Sequence, residues 1–202
     1  MLREWIKREG RVLGPEFLRV DGILNHRIDP AFISAVGEGL ADRFADCGVT
    51  CVVTAEAAGN IVAYELARRL GARALYAKKG RAATMSDPIS RTIVSPTKGT
   101  ETDLAISREY LGRADRVVVI DDFLYQGATS AALAEMVREA GATLVGFGFV
   151  IEKAFAHGRD ALEPYGAPVF ALVAIASMDP GTGEIAFVDG SDRADGGAGS
   201  AR

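Results

Sequence analysis

Phe32, Ile33, Val36, Leu40 and Phe44 recur at three- to four-residue spacing, which places them on one face of a helix. Asp29 is a suitable N-cap, Pro30 suits the first helical position, and Gly48 closes the run. The pattern then changes. Val49 to Ala55 reads VTCVVTA, the near-continuous apolar run of a strand covered on both faces. The alternation repeats down the chain: Ile61 to Leu70 predicts a helix and Arg73 to Lys78 a strand. Val117 to Ile120, Thr143 to Ile151 and Val169 to Ile175 predict further strands. Between two of these, Leu133, Met136 and Val137 mark an amphipathic helix starting near Ser130. Strands alternating with helices predict an α/β fold, a mostly parallel sheet flanked by helices. Upstream, Leu2, Trp5 and Ile6 form a short amphipathic opening helix with the Trp as a packing anchor.

Two stretches break this rhythm. Gly80 to Thr102 is rich in Thr, Ser, Pro and Lys, with short alternating pieces such as Arg91 to Ser95, and predicts an extended mobile hairpin rather than a core element. From Gly190 the chain reads GSDRADGGAGSAR, with almost no apolar content, so 190–202 is expected to be a disordered tail beyond one main domain over 1–189.

Composition narrows the class. At 202 residues, 49% hydrophobic and 25% charged, the chain can build one substantial core. A net charge of −4 argues against non-specific binding to nucleic acid or acidic membranes. No apolar run reaches the roughly 18 to 20 residues of a spanning helix, and charge interrupts the opening MLREWIKREG too often for a signal peptide, so a cytoplasmic protein is expected. Cys47 and Cys51, with His26 and His157 distant from each other, do not compose a zinc site and read as reduced, packed thiols. Gly146-Phe-Gly148 lies inside an apolar strand and lacks the third Gly of a dinucleotide loop.

The chemistry concentrates in VVVIDDFLYQGAT, Val117 to Thr129. A buried strand ends in two adjacent carboxylates, Asp121 and Asp122, and passes through a Gly-containing loop into a helix. In open parallel sheets, ligands bind beyond the carboxyl ends of strands. The backbone N–H groups of Tyr125 to Thr129 and the positive helix end can cradle a phosphate, while the carboxylates accept hydrogen bonds from neighbouring sugar hydroxyls.

This segment resembles the phosphoribosyl pyrophosphate (PRPP) motif of the type I phosphoribosyltransferase family. With FVIEKAF (Phe149 to Phe155) and FLRVDGILNH (Phe17 to His26), the resemblance extends to the family's purine enzymes, in particular those using xanthine, from the N-terminus to about Val188. It implies the type I fold, with a small hood built from the N- and C-terminal parts, and a homodimer. The implied activity transfers the 5-phosphoribosyl group of PRPP to a 6-oxopurine, foremost xanthine, in purine salvage. Mg2+ would be bound mainly through PRPP and pyrophosphate, with no metal site built from side chains.

Carried over position by position, the resemblance makes Asp121 and Asp122 the catalytic pair. Tyr125, Gln126, Gly127, Ala128 and Thr129 become the phosphate loop. The pyrophosphate would lie against AEAAGN, where Ala57, Ala58 and Gly59 offer backbone N–H groups in place of the Ser-containing version of close relatives. Lys79 and, in the covering loop, Lys98 of Ser95-Pro-Thr-Lys98 would face the pyrophosphate. For the base, Lys153 matches a lysine that donates to O6, Asn25 a residue that reads the 2-position, and Leu18 an apolar or backbone contact to the purine. An ammonium has donors and no acceptor, so Lys153 suits a carbonyl at position 6 and meets the amino group of adenine badly. Tyr125 to Thr129 departs from the xanthine enzymes toward the wider type I pattern, which leaves guanine, hypoxanthine and adenine transfer, or a PRPP-sensing regulator of the same fold, as alternatives. A regulator of that type carries an N-terminal DNA-binding domain for which the stretch before Phe17 has no room.

Overall fold

The computed structural model is described for residues 1–80, 85–94 and 99–189. Helix α1 (Leu2–Glu9) buries Ile6 and sets Trp5 edge-on against Phe32, ring centroids 5.7 Å apart. A short antiparallel ribbon follows, β1 (Arg11–Val12) and β2 (Leu18–Arg19), and then one wide helical turn over Asp21–Asn25. Helix α2 (Pro30–Phe44) starts as its sequence dictates: Asp29 Oδ1 accepts from the N–H groups of Ala31 and Phe32 at 2.9 and 3.1 Å. All five residues of its apolar stripe are buried.

The central layer is built from β3 (Cys51–Ala55), β4 (Arg73–Lys79), β5 (Pro88–Val94), β6 (Glu101–Ser107), β7 (Arg116–Leu124), β8 (Thr143–Lys153), β9 (Val169–Met178) and β10 (Ile185–Phe187). Among the described residues these form one sheet in the order β10-β9-β8-β7-β3-β4-β6-β5. From β9 to β4 every pairing is parallel, while β10 and the β5–β6 hairpin add antiparallel edges. Helix α3 (Gly59–Leu70) links β3 to β4, and α4 (Ala128–Glu139) links β7 to β8.

The apolar run of β7 has a direct cause. Val118 and Ile120 pack with residues of α2 and α3 on one face, and Val117 and Val119 with α4 on the other; all four are fully buried. Each such side chain contributes about 1.5–3 kcal/mol, so a strand sandwiched between helices favours a branched apolar residue at every position. Gly146 and Gly148 serve the same packing. A Cβ at Gly146 would stand 2.8 Å from the Phe44 ring, and one at Gly148 would stand 2.6 Å from Ile120 Cδ1.

Within Gly80 to Thr102, expected as an extended mobile hairpin rather than a core element, the described residues include β5 and the start of β6, the two arms of a hairpin, and the core reaches into it. Ile89, Leu104 and Ile106 are fully buried, β6 pairs with β4, and Arg91 bridges Glu135 and Glu139 of α4 at 2.8 Å each. Along β5 covered residues alternate with exposed ones, so its polar half imitates a loop, whereas Leu104 to Ser107 of β6 are all buried. Strand β7 also runs through Asp121 and Asp122 to Leu124, and α4 begins at Ala128 rather than near Ser130. The two- and three-residue strands β1, β2 and β10 are too short to show a period. The expected tail, 190–202, lies outside the described residues. No helix among those described is long and apolar enough to cross a membrane. Cys47 and Cys51 are free thiols, and burial followed by the nearby Asp115 pushes the Cys51 thiol up to about 11, against the pull of Arg73.

Candidate active site

In the parallel part of the sheet, β3 has its successor β4 on one side and the much later β7 on the other. The chain's winding direction therefore reverses between β3 and β7, and the crevice beyond their carboxyl ends is the natural ligand position of an open α/β sheet. A cleft of about 410 Å³ opens there. It is lined by the Ala55 to Ala58 loop after β3, by Lys79 at the end of β4, by hairpin residues including Thr100 and Thr102, and by Asp121, Asp122, Ala128 and Thr129.

Gly59 lets α3 approach the acidic pair. A Cβ there would lie 2.0 Å from Thr54 Oγ1 and 3.2 Å from Asp121 Oδ1. Ala57 is exposed in the cleft and Ala58 half-buried, so the loop presents backbone rather than side-chain functionality. Glu56 Oε1 accepts from the Lys79 backbone N–H at 2.5 Å, tying the loop to the end of β4. Lys79 lines the cleft, whereas Lys78, its neighbour on a pleated strand, lines a separate surface pocket with Tyr76 and Tyr110.

The two carboxylates are held by local backbone. Asp122 N–H donates to Asp121 Oδ1 at 2.9 Å, and Phe123 N–H to Asp122 Oδ1 at 3.1 Å. Burial first, then the adjacent Asp122 charge, raises the Asp121 carboxyl well above the usual carboxylate range, while Lys79 pulls the other way. Beyond the pair, Tyr125, Gln126, Gly127, Ala128 and Thr129 line a smaller cradle of about 90 Å³ with Asp121, Phe123 and Ser130. Gly127 sits at φ +78°, and a Cβ on it would stand 2.6 Å from the Gly158 carbonyl oxygen. Gly127 also stands at the N-cap of α4, where it offers no side chain to satisfy the first-turn N–H groups.

Lys153, the last residue of β8, is half-buried. Its ammonium lies over the Phe123 ring at 5.0 Å and the Tyr125 ring at 5.2 Å, and donates to the Glu16 carbonyl oxygen at 2.5 Å. Burial lowers its pKa below the usual lysine value, against the carboxylates of Glu16 and Asp122. Asn25 ends the wide turn before α2 and lines a shallow pocket of about 300 Å³ that shares Ala57 and Ala58 with the main cleft. Leu18 is different: its side chain is buried in the core beneath the β1–β2 ribbon and lines none of these cavities, which leaves only its backbone for a ligand. Phe155 also packs against the core. Lys98 and the rest of Ser95 to Lys98 lie outside the described residues.

Sequence reasoning missed Glu16, Glu56 and Phe123. Glu56 stands within the quoted loop and Phe123 follows the acidic pair, so strand-end position alone could have found both. Glu16 gives no local signal, because its partner Tyr125 is 109 positions away.

The phosphoribosyl transferase domain family matches residues 26–175 of the chain. A xanthine phosphoribosyltransferase of Heliobacterium modesticaldum is 43% identical over 180 residues, spanning 89% of this chain and 96% of the relative. One from Pseudomonas putida is 41% identical over 189 residues, spanning 93% and 98%. Among solved structures, the adenine phosphoribosyltransferase of Thermoanaerobacter pseudethanolicus superposes with a TM-score of 0.73 at 24% identity, covering 86% of this chain and 99% of the other. At that identity the likeness speaks for the fold. An acidic pair, an anion cradle and a switch-point cleft on this sheet, with relatives that span nearly the whole chain, leave one conclusion: the chain belongs to the phosphoribosyl transferase family.

Proposed function

We propose that this protein transfers the 5-phosphoribosyl group of PRPP to xanthine, giving XMP and pyrophosphate. The observation that carries the reading is the Asp121–Asp122 pair running straight into the Tyr125 to Thr129 cradle at the switch point of the sheet. The relatives of about 40% identity favour xanthine as the base. The adenine enzymes among the structural neighbours share the fold, but the charged donor Lys153 suits a 6-oxo group and not a 6-amino group.

In this reading the cradle holds the 5'-phosphate on the first-turn N–H groups of α4, and Asp121 and Asp122 accept from the ribose hydroxyls. Ala57, Ala58 and Gly59 present backbone to the pyrophosphate, with Lys79 and Lys98 contributing positive charge to the leaving group. Lys153 donates to O6 and Asn25 reads position 2, while Leu18 offers its backbone. Transfer breaks the bond between the anomeric carbon and pyrophosphate as a ring nitrogen of the base approaches. The side chains are therefore asked for positioning and electrostatics rather than for a nucleophile.

Mg2+ fits this donor set. The cleft offers the Asp121 and Asp122 carboxylates, and Mg2+ characteristically takes one or two carboxylates with substrate phosphates and waters. Such an ion neutralises pyrophosphate charge when bound with PRPP. The homodimer implied by the resemblance and the cytoplasmic location expected from the sequence belong to the same proposal.

Purified protein mixed with PRPP, Mg2+ and xanthine is expected to form XMP and pyrophosphate in equal amounts, and to release neither at that rate when base or metal is left out. Tight PRPP binding without turnover of any purine would instead favour a sensor.

A further inference from the structure

The tip of the β1–β2 ribbon reaches both halves of the proposed site. Residues 14 to 17 form a tight turn in which Phe17 N–H donates to the Gly14 carbonyl at 3.2 Å and Leu13 N–H to the Phe17 carbonyl at 2.8 Å. Pro15 restricts the backbone within it, and the buried Leu18 anchors the ribbon below. This turn holds out Glu16. Its carboxylate Oε2 accepts from the Tyr125 hydroxyl at 2.5 Å, a short charge-assisted bond. Its main-chain oxygen accepts from Lys153 Nζ at 2.5 Å. The Tyr125 ring closes the triangle, lying 5.2 Å from the same ammonium. One exposed residue thus links a side chain of the phosphate cradle to the lysine assigned to the base.

We propose that Glu16 is a positioning residue for both substrates: its carboxylate orients the Tyr125 ring, and that ring together with the Glu16 carbonyl aims the Lys153 ammonium. The inference rests on the proposed roles of the cradle and of Lys153. An ammonium has three donors. The Glu16 carbonyl takes one and the Phe123 and Tyr125 rings stand 5.0 and 5.2 Å away, so the directions left to the remaining donors are restricted. Without the carboxylate, Tyr125 is free to leave its rotamer, the cradle loses one wall, and Lys153 loses a ring and a negative neighbour together. Glu16 reaches the substrates only through these two side chains, so its loss weakens binding of PRPP and base more than it slows the saturated enzyme.

The test is a double-mutant cycle in steady-state kinetics and in thermal unfolding of the ligand-free protein. Glu16→Ala is expected to raise the KM for xanthine and for PRPP about three- to tenfold with kcat within about twofold, and Tyr125→Phe to raise the same two constants similarly. The double variant should be no worse than either single one. Glu16→Gln keeps an oxygen that accepts from the phenol but not the charge, and should return both constants part of the way toward the wild type. Multiplying effects in the double variant, unchanged constants in Glu16→Ala, or no rescue by Glu16→Gln would overturn the proposal. If the wild type forms no XMP, the functional reading fails by itself. The unfolding cycle still decides the link: non-additive shifts for Glu16→Ala and Tyr125→Phe uphold it and additive shifts overturn it.

Discussion

Arg159 closes a two-pronged ion pair on Glu152, donating Nε and Nη2 to its two carboxylate oxygens at 2.7 and 2.8 Å. Glu152 is buried at the end of β8, and Arg159 Nη1 also donates to the Val169 carbonyl at 3.0 Å, stitching that end to β9. Since neighbouring residues of a strand point to opposite faces, this pair fixes the backbone from which Lys153 reaches the Glu16 carbonyl and the Phe123 and Tyr125 rings. Arg159→Ala would leave a buried carboxylate without its charged partner, at a cost of about 2 kcal/mol. Urea unfolding should show that loss. Arg159→Lys should recover only part of it, because an ammonium cannot reproduce the planar two-pronged geometry.

Asp121 should trade stability for function. Its carboxyl titrates well above the usual range in the fold because burial and Asp122 disfavour its charge. A carboxyl raised in this way contributes stability below its unfolded value, and that contribution is lost as pH rises through the folded value. Above the ordinary Asp value the ligand-free protein is therefore destabilised at this carboxyl, whether it holds a buried charge or takes up a proton on folding. Asp121→Asn should melt higher than wild type at pH 7, the difference closing as pH falls below the ordinary Asp value, while PRPP-dependent turnover drops. A neutral-pH melting point equal to or below that of wild type would show that this carboxyl does not carry the cost described.

Gly127→Ala should damage the cradle without touching a charge. The substitution places a Cβ 2.6 Å from the Gly158 oxygen and 3.0 Å from Ala161 Cβ at a φ of +78° that L residues rarely adopt. A loss of more than about 1 kcal/mol in stability is expected, with weaker PRPP binding by calorimetry. Gly166→Ala makes a useful control, because its φ is +64° but nothing stands within 4 Å of the added Cβ. It should lose stability from backbone strain and keep PRPP binding.

How much of this was legible in the sequence depends on how many faces of each element are covered. Val117 to Ile120 is sandwiched on both faces and announces a central strand; Asp29-Pro30 announces a helix start because the cap is a local interaction. The alternation along Arg91 to Val94 announces a hairpin arm; its tie to the core is less legible, because the buried run Leu104 to Ser107 lies beyond the polar stretch. In the candidate site, Asp121 to Thr129 could be read because cradle and carboxylates are contiguous. Glu16 could not, since nothing in the Gly14 to Phe17 turn encodes a bond to Tyr125. For Leu18 the sequence left a side-chain and a backbone contact open, and the burial of its side chain in the core leaves the backbone.

Base discrimination should separate two side chains. Lys153→Ala removes a charged donor, a loss on the order of 1.5–3 kcal/mol or roughly tenfold to hundredfold in kcat/KM for xanthine and guanine alike. Asn25→Ala should lower kcat/KM for xanthine and spare hypoxanthine, which has no substituent at position 2. Equal losses on both bases would remove Asn25 from base recognition.

The most direct measurement is kcat/KM for xanthine, guanine, hypoxanthine and adenine at saturating PRPP and Mg2+, read as nucleotide formed. Xanthine is expected to give the highest value and adenine the lowest, because Lys153 offers donors and no acceptor at position 6. Preferential formation of AMP, or no nucleotide from any of the four bases, would contradict transfer to an oxopurine.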